Sequence, residues 1–164
     1  RMGSETTAAA IHKEGVVRRD PMAMLPFCGY NMADYFGHWL NIGKRLKRPP
    51  KVFSINWFRI DDKGNYIWPG FGENIRVLKW IVDRAHNKVG AVETPIGFMP
   101  HLKDLDLSGL SIKKENLERL FGLDVKGWQR EAEDIKVFFE KFGDRMPKEI
   151  WEEFYKMKAK LGGS

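Results

Sequence analysis

Residues 51–74 read KVFSINWFRIDDKGNYIWPGFGEN, and the fold turns on how this stretch is parsed. Lys51 to Phe58 alternates well enough for a strand. Asp61-Asp62-Lys63-Gly64 is a turn in which Gly64 supplies a positive φ at no steric cost. Asn65 to Trp68 then reads as the returning strand, broken by Pro69-Gly70-Phe71-Gly72. Directly after the glycines, Glu73 to His86 sets Ile75, Val77, Leu78, Ile81, Val82 and Ala85 on or beside one helical face. A hairpin feeding a helix predicts an α/β fold: a small mixed or antiparallel sheet flanked by helices.

The same stretch concentrates aromatic rings. Trp57 and Phe58 are neighbours on a strand and face opposite ways, so one can enter a core while the other faces a cleft. Tyr66 and Trp68 follow on the return. Gly70 and Gly72 bracket Phe71 and let the backbone turn sharply enough to present its ring. Glu73 and Asn74 stand at the helix start, where a side-chain amide and free backbone N–H groups are both available. Rings that sandwich a flat base, with Asn74 reading its edge as both donor and acceptor, would make a purine pocket. Core aromatics packed around a hairpin explain the same residues, and on chemistry alone both readings stay open.

Working outward, Asn31 to Leu46 repeats apolar residues at Met32, Tyr35, Phe36, Trp39 and Leu40, with Asn31 as N-cap and Pro49-Pro50 as a stop. Ala91 to Met99 is extended and interrupted by Pro95, and a loop runs to Gly109. Three helices are expected at Lys113–Phe121, Val125–Phe142 and Pro147–Leu161, forming a helical C-terminal layer over about 113–161. Before all of this, Gly3 to Gly15 is small, polar and Ala-rich. Ser4 or Thr6 suits the cap of a short, weakly anchored helix through Ala10, and Val16-Val17 suits a short strand.

Composition narrows the function classes. The 164 residues are 43% hydrophobic and 30% charged, enough for one domain with a core. No apolar run approaches the ~18 residues of a spanning helix, and no secretory pattern opens the chain. With Cys28 as the single cysteine, no internal disulfide can form, and the expected compartment is the cytoplasm. The net charge of +6 favours a phosphate-bearing partner. The run Lys44, Arg45, Lys47, Arg48 and Lys51 reads first as a solvated surface and second as a nucleic-acid patch. No GxxxxGK[ST] loop, CxxC or HExxH string occurs, His12, His38, His86 and His101 lie in four different elements, and neither Ser4 nor Ser54 sits in a hydrolase elbow. A self-sufficient catalytic centre is therefore not expected. Arg1 opens the chain on a dense string, which suggests a piece of a longer polypeptide.

The strings SETTAAAIHKEG, DPMAMLPFCGYN, YFGHWLNIG, PKVFSINWFR, NYIWPGFGEN and ETPIGFMP occur in this order. Together they resemble the GTP-dependent phosphoenolpyruvate carboxykinases, closely from about Gly3 to Gly109 and more loosely through the terminal helices. The resemblance implies that residues 1–164 are the C-terminal part of that family's nucleotide-binding domain. It implies conversion of oxaloacetate and GTP to phosphoenolpyruvate, GDP and carbon dioxide, on the route to glucose. It also implies a divalent cation, manganese or magnesium. By that resemblance Phe58, Tyr66 and Phe71, with Trp57 adjacent, hold guanine; Phe71, Gly72, Glu73 and Asn74 contact the nucleotide over a segment of about 56–74. Thr6, Thr7, Ala8, Ala9, Ala10 and His12 fall in a lid of about 6–16 that closes over substrate, His12 helping to hold the closed form. The family's metal ligands, phosphate loop and phosphoenolpyruvate-binding arginines lie upstream and have no counterpart here, and Cys28 takes no role. The expected partners are GTP, oxaloacetate or phosphoenolpyruvate, and the upstream carboxykinase polypeptide, with no activity for the chain alone. The alternative is a guanine-nucleotide or single-stranded nucleic-acid binding module without catalysis.

Overall fold

A computed structural model describes Met24 and residues 27–162. Among these residues the elements run α1 (Met32–Arg45), α2 (Asn74–Ala85), β1 (Val92–Thr94), β2 (Gly97–Met99), α3 (Lys114–Phe121), α4 (Val125–Glu140) and α5 (Lys148–Lys160), with single 3-10 turns between. The expected α/β class holds, and the sheet is antiparallel with two strands. The cap proposed at Ser4 or Thr6 and the strand at Val16-Val17 lie outside the described residues.

The chain divides into two compact units, residues 1–48 with 129–159, and residues 49–128 with 160–164. In the first, Asn31 caps α1 as its composition predicts: the Oδ1 accepts the N–H of Ala33 at 2.9 Å. Asp34 lies in the first turn of α1, Lys44 and Arg45 in the last, each favourably placed on the helix dipole. Asp34 pairs with Arg145 at 3.4 Å, and Lys44 pairs with Glu149. The interior is built from aromatic edges. Phe138 meets Phe142 at 5.1 Å, and Phe139 meets Trp151 at 5.4 Å and Phe154 at 6.0 Å, all edge-on. Such tilted pairs set the positive ring edge against the negative face.

The second unit carries the stretch with which the sequence analysis began. Its buried residues are Ile67, Trp68, Trp80, Leu105 and Leu161. The turn after Ile60 forms as expected, with Gly64 at φ 82°. Two expectations need correction. Lys51–Phe58 is not a strand, and Asn65–Trp68 returns with only one bridge, between Ile60 and Tyr66. The cause is local: the Asn56 side-chain oxygen accepts the Phe58 N–H at 2.9 Å, taking a donor that a ladder would need. What holds this segment is arginine. The Arg59 guanidinium donates to the carbonyls of Leu120 and Gly122 at the end of α3, and Arg119 grips both oxygens of Asp62 at 2.9 and 2.7 Å. Lys51, from the basic run, donates to the Arg84 carbonyl at the end of α2. Ala91–Met99 closes into a hairpin, Val92 opposite Met99, around Pro95-Ile96. Asp124 caps α4, accepting the Gly127 N–H at 2.9 Å.

Candidate functional site

The hairpin at Asp61 positions two rings. Asp61 N–H donates to the Asn65 carbonyl at 2.8 Å, and Ile67 N–H to the Arg59 carbonyl at 2.9 Å. These bonds pair Tyr66 with Ile60, and Phe58, two residues before Ile60, lies diagonal to Tyr66. Their centroids lie 5.9 Å apart and the rings meet edge-on at 64°. Both stay open to solvent, Phe58 at 71% and Tyr66 at 66% exposure. Their neighbours turn the other way: Trp57 is half-buried and leans on Trp68, centroids 6.0 Å apart at 43°. The chain thus uses one side of the turn for packing and the other for display.

Phe71 is the most exposed of the large rings, at 92%, and touches no other ring among the described residues. Gly70 holds φ 132° and ψ −172°, a region open to glycine and closed to other residues. That kink starts the single 3-10 turn Phe71–Glu73, and Asn74 N–H donates back to the Phe71 carbonyl. Asn74 then opens α2 one turn beyond the Phe71 ring. Its Oδ1 accepts the Trp68 indole N–H at 2.8 Å. Glu73 is engaged by Arg76 Nε, and Arg76 also donates to the Asp106 carbonyl at 2.6 Å. The arginine neutralises Glu73, so the glutamate presents no bare negative charge to an anionic ligand.

Sequence reasoning omitted two residues from the site. Trp68 reads as one more core aromatic, yet a buried indole N–H needs an acceptor, and the amide six residues on is one. Arg76 sits three positions after Glu73, a spacing that brings side chains together on a helix. Thr6, Thr7, Ala8, Ala9, Ala10 and His12 lie outside the described residues.

The described residues assemble no site for a divalent cation. Among those described, no group of three or more His, Cys, Asp or Glu side chains converges. The carboxylates nearest the aromatic segment are already committed. Asp61 is held below its ordinary acidity range by hydrogen bonds from the Asn65 backbone and side chain. Asp62 is lowered by the hydrogen bond and charge of Arg119, and Asp106 by its bonds from Ser108.

Phe58, Tyr66 and Phe71 offer exposed apolar rings, and the Asn74 Nδ2 donates to none of the described residues. Exposed rings and a free amide are the groups with which proteins stack a planar heterocycle and read its edge. Among the described residues no helix is long and apolar enough to cross a membrane.

Comparison with known proteins gives the frame. The family described as phosphoenolpyruvate carboxykinase C-terminal P-loop domain matches residues 1–160. The GTP-type phosphoenolpyruvate carboxykinase of Thermoplasma volcanium is 50% identical over 161 residues, 98% of this chain. Those of Treponema pallidum and Renibacterium salmoninarum are 46% and 47% identical over 99% and 98% of it. The chain spans about a quarter of these relatives, 27% of the length of each.

Proposed function

The chain belongs to the GTP-dependent phosphoenolpyruvate carboxykinases, and from that premise we propose that it supplies the guanine-binding surface and the active-site lid of such an enzyme. In the complete protein, oxaloacetate loses carbon dioxide and the resulting enolate takes the γ-phosphoryl group of GTP. The products are phosphoenolpyruvate, GDP and carbon dioxide. Residues 1–164 act as the C-terminal part of the nucleotide-binding domain, and the compartment is the cytoplasm.

One observation carries the reading: Phe58, Tyr66 and Phe71 stay exposed while the Trp57–Trp68 pair beside them packs inward. Exposed rings stabilise no core, and their display costs apolar hydration unless a ligand covers them. Phe71 lies next to Asn74, so stacking and edge reading come from one turn of backbone. Glu73, neutralised by Arg76, allows phosphates to approach. The family resemblance assigns the metal and phosphate ligands to the upstream polypeptide, and among the described residues no group of three or more His, Cys, Asp or Glu side chains converges. The lid role assigned to Thr6, Thr7, Ala8, Ala9, Ala10 and His12 rests on the family resemblance.

The test is a titration of the native polypeptide carrying this chain with GTP, ATP and an oligonucleotide, beside its Phe71→Ala variant. The expected result is binding that prefers GTP and weakens in the variant. Equal binding of GTP and ATP, unmoved by Phe71→Ala, overturns the guanine assignment. Oligonucleotide binding that fades steeply with salt points instead to a single-stranded nucleic-acid binder.

A further inference from the structure

We propose that Trp68 is a positioning residue that fixes the orientation of the Asn74 amide and so sets which purines this site accepts. The inference rests on the guanine reading above and adds a residue and a rule to it.

An indole N–H is a donor only, so the Asn74 atom facing it at 2.8 Å must be the carbonyl oxygen. Trp68 has no room to yield, being 8% exposed and packed against Trp57. If the amide turned over, its NH2 would confront the indole N–H and leave a buried donor unsatisfied. The orientation is therefore locked, and Nδ2 carries both free hydrogens. Among the described residues nothing accepts from Nδ2, so its donors are available to a ligand. Unanchored, Asn74 would present either its oxygen or its NH2 group outward; anchored, it turns the oxygen toward the indole and leaves Nδ2 as the outward-facing group.

An outward Nδ2 donor suits the 6-carbonyl of a 6-oxopurine, the acceptor that adenine lacks, whereas N7 accepts in both purines. Adenine puts a 6-amino group, itself a donor, at the same edge. Trp68 thereby turns an ambiguous side chain into one that favours 6-oxopurines. The 2-amino group plays no part in this contact, so GTP and ITP should respond to it alike.

The experiment measures kcat/KM for GTP, ITP and ATP in the native polypeptide and in Trp68→Phe, Asn74→Ala and the double variant. Trp68→Phe keeps ring packing and removes the donor. The expected result is a GTP/ATP preference lowered on the order of tenfold. ITP should track GTP, KM should carry the change, kcat with GTP should hold, and Trp68→Phe should add nothing in the Asn74→Ala background. Asn74→Asp leaves Trp68 packing untouched if Trp68→Phe misfolds. One carboxylate oxygen keeps the indole bond and the other faces the base as an acceptor, so the preference should swing toward ATP. An unchanged preference in Trp68→Phe, with Asn74→Ala still lowering it, overturns the positioning role and leaves the guanine reading standing. An Asn74→Asp variant that keeps full GTP preference also overturns it. An unchanged preference in Asn74→Ala sinks both.

Discussion

Phe58 and Tyr66 touch edge-on with centroids 5.9 Å apart, yet each keeps about two-thirds of its surface in solvent. A contact that buries so little contributes only about 0.5–1.5 kcal/mol. Stacking on a base is worth roughly 1–3 kcal/mol per ring. Phe58→Ala and Tyr66→Ala should therefore lower stability by at most about 1.5 kcal/mol, while weakening GTP binding about fivefold to a hundredfold. Urea denaturation and GTP titration on the same variants separate the two effects. If stability falls steeply and affinity holds, these rings belong to the fold and not to a ligand.

Gly70 and Gly72 flank Phe71 but do different work. A Cβ at either would meet no atom within 4 Å, so neither substitution clashes. Only Gly70 sits at positive φ, 132°. Gly70→Ala should cost about 1–3 kcal/mol in backbone strain and raise the KM for GTP by displacing the Phe71 ring. Gly72→Ala should leave stability within about 0.5 kcal/mol. A loss of GTP binding in Gly72→Ala without a loss of stability would show that the nucleotide approaches the backbone at that point.

What the sequence made legible was local. Asn31 as N-cap and Gly64 at positive φ follow from one residue's chemistry, and both are observed. The strand at Lys51–Phe58 was misread because alternation records side-chain polarity. It does not record that Asn56 will take the Phe58 N–H for itself. Ala91–Met99 reads as extended, but its hairpin depends on a turn at Pro95-Ile96 followed by Gly97 at φ 120°. Glycine spacing and the helix start singled out Phe71 and Asn74, whereas the choice of Phe58 and Tyr66 among the neighbouring rings came from the family resemblance. The Trp68–Asn74 bond was hidden, because only the packed structure decides which acceptor a buried indole finds.

Phe154 tests the first unit. It is 4% exposed and meets Phe139, Trp151 and Tyr155 with centroids 6.0, 5.7 and 5.3 Å away. Phe154→Ala should destabilise by about 3–5 kcal/mol, through lost transfer energy and the cavity left behind. Denaturant unfolding reads this directly. A cost below about 1 kcal/mol would mean that the ring cluster is not the core of this unit.

Ala9→Pro probes the lid reading. Proline fixes φ and removes a backbone donor, so it should hinder a segment that must change conformation during turnover. In the native polypeptide, kcat should drop while the KM for GTP stays near its original value, because the proposed guanine contacts lie elsewhere in the sequence. Unchanged turnover removes the lid assignment for Thr6–Val16.

The turn that displays Phe58 and Tyr66 should loosen in acid. The Asp61 carboxylate accepts the N–H groups of Lys63 and Asn65, each at 2.9 Å, and the Asn65 amide at 3.2 Å. Hydrogen bonds from the Asn65 backbone, then its side chain, hold the acid below its ordinary value of 3.8. A depressed carboxylate value means that the folded turn binds its proton less readily than the unfolded chain. Its stabilising contribution is complete above 3.8 and is lost as pH falls through the lower folded value. Amide exchange over residues 59–67, compared with Asp61→Ala at matched pH, should show slower exchange in the parent at neutral pH. The two should converge once pH drops well below 3.8. A difference that persists unchanged into that range would mean that the backbone ladder, and not the ionised carboxylate, sets the turn and the spacing of its two rings.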